Sequence, residues 1–89
     1  MNTEKSRYGT KREFILQKDQ ILVKCYDTLY HSMSTNKNGE VISVDPDGGP
    51  YICVGRVITI DKKEYIVTKI NKYEKIKDVL HILVDVVEK

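Results

Sequence analysis

The chain has 89 residues, of which 40% are apolar and 31% charged, and a net charge of only +2. One small domain is all this length supports, so a doubly wound nucleotide-binding sheet, a kinase fold and a (β/α)8 barrel are excluded. No run approaches the roughly 18 apolar residues that span a bilayer. The polar stretch from Met1 to Arg12 lacks the apolar core of a secretory signal.

Ten Ile, ten Val and six Thr make up 26 residues, and there is no Ala. β-Branched side chains resist helix and fit a pleated surface, so the composition predicts a chain made mainly of strand. Lys, Ile, Tyr, Asn and Phe total 33 residues against 10 for Gly, Ala, Arg and Pro. That is the bias of AT-rich codons, and it points to a low-GC genome: a firmicute, one of its phages or a large DNA virus. The cysteines, Cys25 and Cys53, both lie in apolar runs and read as two buried thiols, the expectation for a cytoplasmic protein.

In chain order, residues 1–10 read as a flexible tail and 11–89 as a single domain. Thr10-Lys11-Arg12-Glu13 is a capping-box pattern and allows a two-turn helix over 11–18. A first strand from Glu13 to Lys18 fits the same residues. From Gln20, strict alternation puts Ile21, Val23 and Cys25 on one face and Leu22, Lys24 and Tyr26 on the other. Asn38-Gly39 signals a hairpin with a type I′ turn, pairing Lys37 with Glu40, Thr35 with Ile42 and Met33 with Val44.

Asp45-Pro46-Asp47-Gly48-Gly49-Pro50 breaks the chain. Tyr51 to Ile60 follows as a long strand interrupted at Gly55, where a bulge or barrel corner fits. Asp61 to Glu64 closes a hairpin that sets Ile60 against Tyr65 and Ile58 against Val67. The returning strand ends at Tyr73, a charged turn covers Glu74 to Asp78, and the last strand lines Leu80, Ile82, Val84 and Val86 on one face. Five or six short strands escape bare edges by curling. The expected fold is therefore all-β, a small, strongly bent antiparallel barrel or roll of Tudor-like or OB-like architecture. An open meander that dimerises through an edge strand is its competitor.

Little in the chain points to catalysis. Val44-Asp45-Pro46-Asp47-Gly48 resembles the first motif of the haloacid dehalogenase phosphatases, which implies a metal-dependent hydrolase with Asp45 as nucleophile and Asp47 as general acid. The resemblance covers five residues. That family needs a parallel α/β sheet and further Lys and Asp motifs, and Gly49 stands where its Thr belongs. Asp45 and Asp47 also fall short of the six to eight oxygens of a calcium site. Cys25, His31, Cys53 and His81 contain no close-spaced ligand pair for zinc. No metal site, cofactor or catalytic residue is therefore assigned.

Two surface patterns remain. Residues 62–77 carry six lysines against two glutamates, with Tyr65 and Tyr73 among them. Basic strands around aromatics hold single-stranded nucleic acid, so Lys62, Lys63, Lys69, Lys72, Tyr73 and Lys75 form one candidate site. The other pattern is tyrosine. Tyr26 and Tyr30 share a strand face, and both the first and last strong strands are apolar on two faces, more than a small chain covers from within. This favours a non-catalytic module that binds protein, a second copy or a larger partner, as an adaptor or inhibitor. Its expected contacts are Tyr26, Tyr30, His31 and the loop of Asp45, Asp47, Gly48, Gly49 and Tyr51; no membrane partner is expected.

Overall fold

A computed structural model describes residues 3–5, 11–26, 31–46 and 51–89. These form nine strands and, among the described residues, no helix: β1 Thr3–Lys5, β2 Lys11–Gln17, β3 Gln20–Tyr26, β4 His31–Thr35, β5 Val41–Pro46, β6 Ile52–Cys53, β7 Val57–Ile60, β8 Lys63–Ile76 and β9 Val79–Glu88. Six of them make an antiparallel sheet in the order β1-β2-β3-β9-β8-β7, curled into a half-barrel, and β4-β5-β6 make a smaller sheet. The bent all-β roll is thus the fold, with more strands among the described residues than the five or six expected.

Burial explains the centre of the large sheet. Ile21, Val23 and Cys25 of β3 pair directly with Val84, Ile82 and Leu80 of β9, and all six are buried. Val44 and Ile52 of the small sheet complete the core with Phe14, Ile58, Ile60, Val67, Ile70 and Val86. At about 25 cal/mol per Å² of apolar surface, this contiguous cluster is the main stabilising term.

The same period of two settles residues 11–18, where strand forms and the helix does not. Arg12 and Phe14 are buried while Glu13 and Ile15 are half-buried, an alternation a helix would scatter around its circumference. Within the segment read as a tail, Thr3–Lys5 pairs with β2, setting Glu4 against Arg12.

Three turns differ from the sequence reading. At Asn38-Gly39 only Gly39 takes positive φ, and the loop is three residues long: Gly39 N donates to Asn36 O, and Asn36 N to Glu40 O. The cause is Asn36, whose Oδ1 accepts from the backbone N–H of Asn38 and of Glu40 and fixes a type I turn. Thr35 therefore meets Val41, not Ile42; a bulge at Ile42 absorbs the shift, and Met33 does face Val44. The type I′ turn sits instead at Asp61-Lys62, with φ of 50° and 70°. It pairs Ile60 with Lys63 and Ile58 with Tyr65, two residues away from the expected register.

Gly55, at φ +93°, is the corner where the chain passes from the small sheet to the large one. Arg56 N donates to Cys53 O, closing a turn with Gly at its third position. Gly55 and Arg56 then both bond the backbone of Val67, two residues against one. Beyond Val67, β8 runs to Ile76 without the charged turn expected from Glu74, and the turn is only Lys77-Asp78.

Candidate binding edges and cleft

β8 carries two bulges, one between Val67 and Lys69 and one between Ile70 and Lys72. Each adds one residue, Thr68 and Asn71, so the inward positions fall three apart at Val67, Ile70 and Tyr73. Both extra side chains are used. Thr68 Oγ1 donates to Asp85 O at 3.2 Å, and Asn71 Nδ2 donates to Asp85 Oδ1 at 3.1 Å. Gln20 Nε2 donates to the same Oδ1 at 2.8 Å from the other side of β9. Those donors, Gln20 first and then Asn71, with Lys69 nearby, hold the Asp85 carboxyl below its ordinary pKa.

The bulges also distribute the lysines. Lys69 and Lys72 pair with Asp85 and Leu83 on the outer face, whereas Tyr73 and Lys75 pair with the inward residues Ile82 and Leu80. Lys62 lies in the hairpin turn, Lys63 lies 3.8 Å from Glu88, and Lys72 lies 3.5 Å from Glu74. The expected six-residue site is therefore not one surface. Lys69, Lys72 and Tyr73 do share a cleft of about 720 Å³ with Asn71, Glu40, Ile42 and Val54, between the bulged edge of β8 and the small sheet.

Of the tyrosine set, the side chains of Tyr26, Asp45 and Tyr51 are described. Tyr26 Oη donates to Glu13 Oε1 at 3.0 Å, and Lys11 Nζ lies 5.3 Å from the ring, so the ring rests on β2. That hydrogen bond raises the phenol's pKa. Tyr51 is 57% exposed, and Asp45 is half-buried on β5 with Oδ1 unpartnered among the described residues. Tyr30, Asp47, Gly48 and Gly49 lie outside the described residues, and for His31 only the backbone in β4 is described.

The outer face of the large sheet carries three apolar rows, Tyr26-Val79-Ile76, Ile15-Leu22-Leu83 and Val57-Ile66-Val87, separated by the polar rows Glu13-Lys24-His81-Glu74 and Gln17-Gln20-Asp85-Lys69. Among the described residues, β4 is paired on one side only, at one end of the small sheet. Its Ser32, Met33, Ser34 and Thr35 are all exposed, and none is charged. The far side of such a strand presents a row of open N–H and C=O groups.

Sequence reasoning missed Arg12 and Glu4. The Arg12 side chain is wholly buried, 3.4 Å from Glu4 Oε1, while Arg56 reaches Glu4 Oε2 at 2.7 Å. The available signal was an arginine in phase with Phe14, in a chain with twelve lysines and three arginines. A planar fork suits buried carboxylate pairing better than an ammonium does. Cys25 lies in the field of this group; burial pushes its thiol up to about 11, with Arg12 opposing.

Among the described residues, no three His, Cys, Asp or Glu side chains converge as a metal site, and no helix is long and apolar enough to cross a membrane. No family model, curated protein or solved structure matches the chain.

Proposed function

We propose that the chain is a non-catalytic protein-binding module that self-associates by pairing β4 with β4 of a second copy. The observation that carries this is the β4 edge, which has no ladder partner among the described residues and bears four consecutive exposed, uncharged side chains with no proline among them. An antiparallel pair centred on Met33 sets Met33 against its own copy and Ser32 against Ser34. No like charges meet, and the two small sheets join into one. Two-fold closure also limits the assembly to a dimer.

Light scattering across a concentration series tests it. The expected result is a concentration-dependent dimer that Met33→Lys weakens by about tenfold or more, since two ammonium groups then face each other. Monomer stability should change by no more than about 0.5 kcal/mol at this exposed site. A chain that stays monomeric at millimolar concentration overturns the reading.

A second reading rests on the cleft, where Lys69, Lys72 and Tyr73 stand together. It is single-stranded nucleic-acid binding, with phosphates against the lysines and a base on the ring. Anisotropy of labelled oligonucleotides at about 50 and 200 mM salt decides it: affinity that falls steeply with salt and is lost in Lys69→Glu/Lys72→Glu supports the cleft.

A further inference from the structure

The cleft between β8 and the small sheet has lips of opposite charge. Lys69 and Lys72 stand on the β8 side, and Glu40, immediately before β5, stands on the other. The lips do not neutralise each other. Among the described residues neither lysine forms an ion pair with Glu40, and the pair Lys72 makes is with Glu74 at 3.5 Å, on its own strand. That pair is exposed on both sides, so water screens it and a phosphate can compete for the ammonium.

Glu40 is the unexpected member of the set. A carboxylate repels phosphate, so a site for phosphates alone gains nothing from it. Yet it is firmly placed. Asn36 Nδ2 donates to Glu40 Oε1 at 3.1 Å, Glu40 N donates to Asn36 Oδ1 at 3.0 Å, and Asn36 N donates to Glu40 O at 3.0 Å. One asparagine thus holds both the backbone and the carboxylate of Glu40, which stays exposed in the cleft. The Asn36 amide is spent in doing so, as the Asn71 amide nitrogen is on Asp85. What the cleft offers a ligand is two ammonium groups, one oriented carboxylate, the Tyr73 ring, and apolar walls from Ile42 and Val54, which are 38% and 44% exposed.

A volume of about 720 Å³ suits a ligand of nucleotide size. Building on the nucleic-acid reading of this cleft, we propose that it selects a guanine base. Guanine presents two adjacent donors, N1–H and the N2 amino group, which one carboxylate accepts as two parallel bonds. Adenine and cytosine offer one amino donor beside a ring-nitrogen acceptor. Thymine offers one N–H between two carbonyls that a carboxylate repels. Lys69 and Lys72 hold the phosphates, Tyr73 and the apolar walls cover the base, and Glu40 reads its edge. The carboxylate that weakens general phosphate binding is the group that chooses the base.

The test is fluorescence anisotropy of labelled hexanucleotides at about 50 mM salt, all thymidine except for one central guanine, hypoxanthine, adenine, cytosine or thymine. The guanine strand should bind about tenfold or more tightly than the thymine strand, and hypoxanthine, which lacks the N2 amino group, should fall between them. In Glu40→Gln, which keeps an acceptor for Asn36, affinity for the guanine strand should drop by about tenfold. Affinity for the thymine strand should rise in the same variant, because a repulsive charge is gone. A merely structural role for Glu40 would lower both alike and overturns the proposal, as does a guanine preference that survives Glu40→Gln. Equal affinity for the guanine and thymine strands, with binding still lost in Lys69→Glu/Lys72→Glu, overturns guanine selection and leaves the nucleic-acid reading standing. No salt-sensitive binding of any strand overturns both.

Discussion

β8 beyond Ile66 and the outer side of β4 are both strand edges with no regular ladder partner among the described residues, yet they are built in opposite ways. The β8 edge is kinked by two bulges and carries Lys69, Lys72, Glu74 and Lys75. The β4 edge is short, uncharged and free of a bulge on its own strand; the irregularity opposite it belongs to β5 at Ile42. Bulges and lysines are what soluble sheets use to keep other strands away. One edge is therefore guarded against pairing and the other is left able to pair. The same contrast explains why the lysines of β8 are spread over two faces: they serve a bent strand before they serve any ligand.

The sharpest way to break the contrast is to remove the guard. Deleting Thr68 and Asn71 together leaves the inward sequence Val67, Ile70, Tyr73 in register but straightens β8. The expected loss is about 3 kcal/mol, from the bonds to Asp85 and the poorer fit of a straight strand to the curl. Urea unfolding measures it, and new association that persists in the Met33→Lys background shows that the β8 edge has become adhesive.

Asp85→Ala tests the clip that holds the second bulge and should cost about 2 kcal/mol, since Gln20 and Asn71 both lose their acceptor. The effect depends on pH. A carboxyl whose folded pKa is depressed stabilises fully above its unfolded value of about 3.9 and loses that contribution as pH falls through the folded value. Wild type and variant should therefore differ most near neutrality and converge in acid. A gap that does not narrow below about pH 3.9 removes Asp85 from this role.

The smallest effect lies at the tip of the β7–β8 hairpin. Lys62 holds φ at 70° with a full side chain. Lys62→Gly should raise stability by about 0.5 to 1 kcal/mol, read as a higher thermal midpoint, because glycine relieves the left-handed strain.

Much of the fold was legible where alternation was strict and the chain unbroken. Residues 21–25 and 80–86 present their buried faces as their spacing predicts, and Gly55 marks a true corner. The bulges were not legible, because Thr68 and Asn71 are ordinary strand residues whose displacement is set by Asp85, distant in sequence. The turns failed in a related way. Asn-Gly favours type I′ locally, but Asn36 captured the loop, while at Asp61-Lys62 the pairing of Ile58 and Ile60 imposed a conformation its residues do not favour. Of the candidate sites, Lys69, Lys72 and Tyr73 do meet at one cleft. The ion bridge of Glu4 with Arg12 and Arg56 stayed hidden because the three are drawn together only when the sheet curls.

The position of β9 bears on how the chain is made. This last strand lies in the interior of the large sheet, with β3 on one side and β8 on the other. During synthesis, β3 emerges roughly 50 residues before the strand that will cover its inner edge. At about 5 to 20 residues per second, that edge, flanked by Ile21 and Val23, stands open for several seconds. The β2–β3 hairpin is thus the stretch of nascent chain most in need of a chaperone, and the order of strands sets that interval, not their stability.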